Sequence, residues 1–379
     1  MRALMITKFV PFPDDSGGRQ RSLAIARRLA EHFQLTLCAY SLDDTDATVL
    51  TSMGIDVRSV PWHPTASRVA RGLARTGSVT AGRFWTHELV TEVRRAASEG
   101  PLDLLQVECL QMSPLARGLQ ATCRVLDLEN VESSLVATYA HTRSGLGGTP
   151  YYTEAHALRR LERRELPQYD VRVVVAEPEL SRLPGPARTT LVCPNGREPT
   201  EILAPARSRT VAFVATMGWA PNVDAAVWFA HNVWPIVCGR VRDAKLLLVG
   251  RDPSAAVRAL ASETIEVTGT VPDVGAFLAQ ALVAVAPLRS GGGTRLKILE
   301  ALQAGRPVVA TSIGADGLED LIGQGLIVAD SAVTMAESLV ELLHDPDATI
   351  RLGTLGHEAV TLRYGWDVVL GPLMRTVLS

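Results

Sequence analysis

Lysine is almost missing from this sequence. Lys8, Lys245 and Lys297 are the only three, and every other basic side chain is arginine. Aromatic residues make up just 5%, and the five cysteines (Cys38, Cys109, Cys123, Cys193, Cys238) form no C-x-x-C pair. That scatter argues against a zinc ribbon or a redox dithiol and reads as reduced, mostly buried thiols of a cytoplasmic protein. No apolar run approaches the roughly 20 residues of a membrane helix. After Met1-Arg2 the first apolar run lasts only from Ala3 to Ile6, so no secretory leader is expected. The eight histidines are dispersed without an H-x-x-x-H, and no metal is expected. With a formal net charge of −2, nothing argues for wholesale nucleic-acid binding. There is no G-x-S-x-G and no nucleophile–base pair, so the chemistry does not call for a protein nucleophile.

What is present is strand–helix alternation, running twice through 379 residues, a length that favours two domains. In the first half, apolar runs at 2–7, 35–40, 57–60, 104–108, 124–128, 171–175 and 189–193 read as strands. A helix from about Arg19 to His32 follows a Pro-rich loop and Gly17-Gly18, and a long helical region spans about Ser133 to Leu166. The stretch from Pro194 to Ser208 has no periodicity and reads as a linker. The pattern then restarts with strands at 210–215, 244–249, 265–268, 282–286, 307–311 and 325–328, and a helix from Val223 to about Val237. Strands that read as continuous apolar runs imply parallel sheets covered on both faces. The expected fold is α/β, two Rossmann-like doubly wound domains, with ligands at the carboxyl ends of strands in a cleft between them.

The densest chemistry lies at Ser290-Gly291-Gly292-Gly293-Thr294-Arg295, between an apolar strand and a periodic helix carrying Lys297 and Glu300. Consecutive glycines bring backbone N–H groups and a helix start against a phosphate. Lys297 and Glu300, spaced i,i+3, share a face where a cation meets phosphate and a carboxylate accepts from a ribose diol. The pattern is neither a Walker loop nor G-x-G-x-x-G, and glycines in such a turn also serve close helix–sheet packing.

Other polar clusters have plainer readings. Arg68, Arg71, Arg75, Arg83, Arg94 and Arg95 stand against three glutamates between 64 and 100, which describes a solvated helical face, with membrane contact at most peripheral. Asp43-Asp44-Thr45-Asp46 reads as a polar loop.

Four segments, Ala215 to Ala225, Val267 to Asp273, Pro287 to Ala301 and Gly305 to Thr311, resemble in register the retaining glycosyltransferases of family 4, which have the two-Rossmann GT-B fold. Pro194-Asn195-Gly196 resembles the hinge of that family and Tyr364-Gly365-Trp366-Asp367 its closing segment. The resemblance implies an N-terminal acceptor domain over 1–195, a nucleotide-sugar domain over 196–364, and a last helix, about 365–379, crossing back. It implies donor contacts from Gly17, Gly18, Met217, Trp219, Gly269, Val271, Gly292, Gly293 and Thr294, with countercharge from Arg295 or Lys297 and the ribose held by Glu300. Asp273 and Trp219 have plainer alternatives, as a helix cap and as loop packing.

The departures are informative. Where the family commonly places a first glutamate, this chain has Gly292, and the strand-end histidines appear as Glu108 and Glu129. A carboxylate acts as base or binds a cation, so Glu108 and Glu129 are catalytic candidates. With Asn130 and Glu132 they outline an acidic acceptor pocket suited to an amine-bearing acceptor. The implied reaction moves a sugar from a nucleotide-diphosphate sugar to a hydroxyl of a natural product or glycan. Configuration is retained, and neither metal nor cofactor is used. A nucleotide-sugar epimerase and a non-catalytic nucleotide-binding subunit are the alternatives. Donor sugar, base, acceptor and oligomeric state are not legible.

Overall fold

The computed structural model describes residues 1–14, 16–42, 47–141, 145–185, 189–290 and 296–379. The chain divides into unit 1, Met1–Pro194 with Leu370–Ser379, and unit 2, Asn195–Val369. Each unit is one parallel sheet clothed by helices.

In unit 1 the strands are β1 (Arg2–Phe9), β2 (Gln34–Ser41), β3 (Asp56–Pro61), β4 (Leu104–Glu108), β5 (Cys123–Leu128), β6 (Val171–Val174) and β7 (Thr189–Val192), in the order β3-β2-β1-β4-β5-β6-β7. The register sets Leu4 between Thr36 and Leu105, so the central strands are covered on both faces and their apolar runs are fully buried. Unit 2 repeats the plan with β8 (Thr210–Val214), β9 (Lys245–Val249), β10 (Ile265–Gly269), β11 (Val283–Ala286), β12 (Val308–Ala310) and β13 (Leu326–Val328), ordered β10-β9-β8-β11-β12-β13. In each sheet the direction of winding reverses once, between β1 and β4 and between β8 and β11. At such a reversal the loops leaving the strand ends diverge and open a crevice, which is where open α/β sheets bind ligands.

The structure refines two helical expectations. The region 133–166 is two helices, Glu132–His141 and Thr149–Glu165, because Gly145, Gly147 and Gly148 intervene and Pro150 fits only a first turn. The helix expected from Val223 begins at Ala220, with Pro221 in its first turn, where the missing N–H costs nothing. It runs to Trp228, widens to a π-turn over Phe229–Val233, and resumes as Trp234–Arg240. Pro235, which cannot donate to the helix ladder, accounts for the widening.

The passage back to unit 1 falls at Leu370, because Trp366 and Val369 are buried within unit 2, while the helix Gly371–Leu378 packs on β7. Asp43, Asp44, Thr45 and Asp46 lie outside the described residues. Among the described residues no helix is long and apolar enough to cross a membrane.

Close backbone approach joins the ends of β8 and β9. Gly250 leaves β9 with φ +145°, and a Cβ there would lie 1.8 Å from the Ala215 carbonyl oxygen. Both conformation and space therefore require glycine. Gly250→Ala should cost more than about 2 kcal/mol and lower the Tm of unit 2; an unchanged thermal unfolding curve would refute this account of the β8–β9 junction.

Candidate active site

In unit 1 the strand ends around the β1/β4 reversal hold a charged network. Arg21, from the helix Gly17–Ala30, and Asp127, on β5, are both fully buried and joined by two-pronged hydrogen bonds, Nε to Oδ1 at 3.0 Å and Nη2 to Oδ2 at 2.8 Å. Arg21 Nη1 also donates to the Pro194 carbonyl at 3.2 Å. Burial works against the Arg21 cation, but the Asp127 charge and hydrogen bonds outweigh it and raise its pKa. Asp127 is raised by its own burial, opposed by Arg21.

Glu108, at the end of β4, is also buried. It accepts from Gln106 Nε2 at 2.7 Å, while its Oε2 has no hydrogen-bond partner. Burial first and the Asp127 charge second push its pKa well above the ordinary 4.5. Glu108 is thus a neutral acid under the strand ends. The next residue, Cys109, turns the chain with φ +69°, and its amide donates to the Asp127 carbonyl at 2.8 Å.

Glu129 is closer to solvent, with a side chain 21% exposed. It faces Lys8 Nζ at 3.9 Å, and a Cβ added to Gly18 would meet its Oε1 at 2.8 Å. Gly17 and Gly18 open the first helix, so the anion at that positive helix end is the protein's own carboxylate. Burial acts to lower the Lys8 pKa, yet attraction to Cys109, Glu129 and Glu132 raises it. The buried Cys109 thiol is itself pushed well up, so at neutral pH the carboxylates supply that attraction. Glu132 is raised by burial, against Lys8 and a hydrogen bond from Gln111. Asn130 is half-buried beside them.

Lys8 was not among the residues singled out from sequence, and it changes the pocket: an ammonium sits among carboxylates that the sequence presented as purely acidic. Lys8 also lies 5.8 Å from the Phe84 ring centre, and Phe84 stacks on Trp62 at 4.9 Å. Beyond Glu132, a groove of about 370 Å³ is lined by Ser133, Ser134, His156, Arg159 and Arg182, so the surface next to the glutamates is cationic.

In unit 2 the crevice between β8 and β11 is bordered by the loop Ala215–Trp219 and the run after Ala286. Gly292, Gly293, Thr294 and Arg295 lie outside the described residues, as does Gly291. The helix Leu296–Gln303 that follows carries Lys297, Glu300 and Gln303 at intervals of three, on one face. Lys297 Nζ donates to Asn222 Oδ1 at 2.6 Å and lies 5.4 Å from the Phe213 ring centre. Asn222 is buried, and its Nδ2 donates to the Thr216 carbonyl at 2.9 Å, which fixes the amide with its oxygen toward the lysine. Glu300 Oε1 accepts from Arg197 Nη2 at 3.2 Å. The structure therefore gives Lys297 and Glu300 partners far away in sequence.

Met217 is a core residue whose amide donates to the Arg251 carbonyl at 2.9 Å. Trp219, by contrast, is 41% exposed at the start of its helix, which removes the reading of it as loop packing. Gly269 ends β10 with φ +71° and open space where a Cβ would be, and Val271 is half-buried. Asp273 Oδ1 accepts from the Gly275 amide at 2.8 Å, a local turn just ahead of the short helix Gly275–Leu278, whose N-cap is Val274. Among the described residues no group of three His, Cys, Asp or Glu side chains is arranged to hold a metal.

Residues 208–345 match the family model described as "Glycosyl transferases group 1". The chain is 34% identical over 142 residues to a phosphatidyl-myo-inositol mannosyltransferase of Mycobacterium leprae, a match covering 35% of this chain and 37% of that protein. It is 33% identical over 155 residues to a GDP-mannose-dependent alpha-(1-6)-phosphatidylinositol monomannoside mannosyltransferase of Mycobacterium tuberculosis, covering 37% of this chain and 40% of that one. The matches thus span well under half the length of these relatives. Over the whole fold, the sucrose-phosphate synthase structure from Thermosynechococcus elongatus superposes with TM-score 0.73 at 15% identity, covering 100% of this chain and 99% of that one. Anabaena HepE in complex with UDP and glucose gives 0.69 at 15% identity, covering 100% of both. The fold is therefore that of GT-B glycosyltransferases.

Two outcomes test the unit 1 network. Arg21→Met strands a buried carboxylate and should cost about 3–5 kcal/mol, whereas Arg21→Met with Asp127→Leu should recover most of that loss. Equal denaturation midpoints for the single and double variants would refute the pairing. Because folded Glu108 keeps its proton where the unfolded chain, at 4.5, has lost it, parent stability falls as pH rises above that value. The Tm advantage of Glu108→Gln should accordingly widen from pH 5 to pH 8, and a gap independent of pH would contradict a buried neutral acid.

Proposed function

We propose, from the match of residues 208–345 to the group 1 glycosyltransferase model, that this chain transfers a sugar from a nucleotide-diphosphate sugar to a hydroxyl acceptor with retained anomeric configuration. The observation that carries the reading is the helix Leu296–Gln303. It follows the glycine run directly and presents a cation held by Asn222 and a carboxylate held by Arg197 on one face. Lys297, with Arg295 and the amides of Gly293 and Thr294, would stabilise the charge that develops on the leaving diphosphate. Glu300 would accept from the ribose hydroxyls.

As the bond between the anomeric carbon and the phosphate oxygen breaks, the acceptor oxygen bonds to the same face of that carbon. The acceptor's proton passes to the departing phosphate oxygen. Arginine and lysine carry the countercharge, which supports a reaction without metal or added cofactor.

Unit 1 would take the acceptor at Glu129, Asn130 and Glu132, with Gly17 and Gly18 holding the helix start against Glu129. Glu129 is the carboxylate there with access to solvent. Buried Glu108 acts beneath it by supporting the strand ends. Lys8 and the groove of Arg159 and Arg182 favour an acceptor that carries hydroxyls or an anionic group over one that carries only an amine.

The relatives point to both bases, GDP in the name of the Mycobacterium tuberculosis mannosyltransferase and UDP in the HepE complexes, so both nucleotides belong in the first experiment. Calorimetric titration should find one of UDP or GDP bound by the parent, and Glu300→Ala or Lys297→Ala should each weaken it by about tenfold or more. Failure of the folded parent to bind either nucleotide would sink the transferase reading. Binding without turnover across donors and acceptors would favour a nucleotide-binding subunit, and donor conversion without an acceptor would favour an epimerase.

A further inference from the structure

Arg197 is the third residue of unit 2, just after the turn at Gly196. Its main chain is pinned: its amide donates to the Tyr364 carbonyl at 2.8 Å, and its own carbonyl accepts from the Trp366 amide at 3.3 Å, a parallel bridge opposite Gly365. A Cβ on Gly196 would lie 2.8 Å from the Tyr364 oxygen, so only glycine lets these two passages of chain lie so close. The side chain is pinned as well. Nε donates to Gln303 Oε1 at 3.2 Å and Nη2 to Glu300 Oε1 at 3.2 Å, while Gln303 Nε2 donates to the Glu198 carbonyl at 2.6 Å. Arg197 and Glu300 remain 19% and 27% exposed, so water or a ligand still reaches the pair.

We propose that Arg197 is a positioning residue that makes Glu300 a reader of the ribose 2′,3′-diol. The inference rests on the proposed nucleotide site and assigns the group that orients its carboxylate. A glutamate on a helix surface turns freely about three bonds and loses that freedom when it binds a ligand. Arg197 removes the freedom beforehand. Its guanidinium holds Oε1 from one side and leaves Oε2 and the second lone pair of Oε1 to accept from two neighbouring hydroxyls. Lys297 is committed to Asn222 and is poorly placed to take over that role. The face of one helix is thereby shared: the lysine end is set by Asn222 for phosphate and the glutamate end by Arg197 for sugar hydroxyls. Since the arginine's backbone is fixed by the chain segment 364–366, the ribose reader is built onto the two stretches of chain near which unit 2 is entered and left.

The test compares whichever of UDP or GDP the parent binds with its 2′,3′-dideoxy counterpart, by calorimetry on the full chain. The parent should prefer the diol by about tenfold or more. In Arg197→Met that preference should shrink to about threefold or less, chiefly through weaker binding of the diol, with the dideoxy nucleotide little changed. Arg197→Lys should restore part of the preference, since an ammonium supplies charge without the fork to Gln303. A merely structural arginine would weaken both nucleotides alike and leave their ratio unchanged, and that result overturns the proposal even if Arg197→Met is less stable. A parent that binds nucleotide without preferring the diol overturns it too, while a parent that binds no nucleotide defeats the transferase reading on which it rests.

Discussion

The fully buried ion pair between Arg21 and Asp127 is the constraint to which the rest of unit 1 answers. Two charges removed from water are tolerated only with near-ideal mutual geometry, and that geometry locks the first helix to the fifth strand. Gly17 and Gly18 lie one turn before Arg21, and Glu129 lies two residues past Asp127. One interaction therefore sets the distance between the helix start and the carboxylate against it. It also bears on the ionisation of a neighbour: burial is the main reason the Glu108 carboxyl stands well above its ordinary range, and the Asp127 charge adds to it against Arg21. The third prong of the arginine reaches Pro194, the last residue of the unit before the chain moves on.

Unit 2 solves a similar problem with looser pairs. Its functional face is one helix with polar residues at every third position, each held from outside the helix. Asn222 is buried and already committed at its amide nitrogen, so its oxygen has one direction left. Arg197 is fixed at both its backbone and its guanidinium. Charged side chains near solvent keep a ligand-ready posture because their partners, rather than they themselves, have given up freedom.

The strands were the most legible part of the sequence, since parallel strands covered on both faces are simply apolar runs. Their order in the sheets was not legible, because nothing in a run such as Leu104 to Glu108 names its neighbours. The helical region over 133–166 was legible from its periodicity, but its division in two is written only in the glycines at 145, 147 and 148. Glu108, Glu129 and Glu300 stood out as acids at strand ends or beside glycines. Their partners Lys8 and Arg197 did not, being more than a hundred residues away in sequence. For Lys297 and Glu300 the local spacing pointed each toward the other. An i,i+3 pair on a helix surface is worth only about 0.2–0.5 kcal/mol, less than partners already anchored elsewhere can offer. Arg21 and Asp127 do leave a trace in the sequence: each is a charge at a position where the pattern calls for an apolar residue.

The discontinuity of unit 1 orders events during synthesis. Residues Leu370–Ser379 complete its surface on β7, so the ribosome must make the whole of unit 2 before unit 1 has all of its parts. All seven strands of unit 1 are made before unit 2 begins, so its sheet can gather early, while its flank at β7 stays open until the last helix arrives. A nascent chain of this design therefore carries an assembled first sheet with one uncovered edge region for as long as unit 2 is being made.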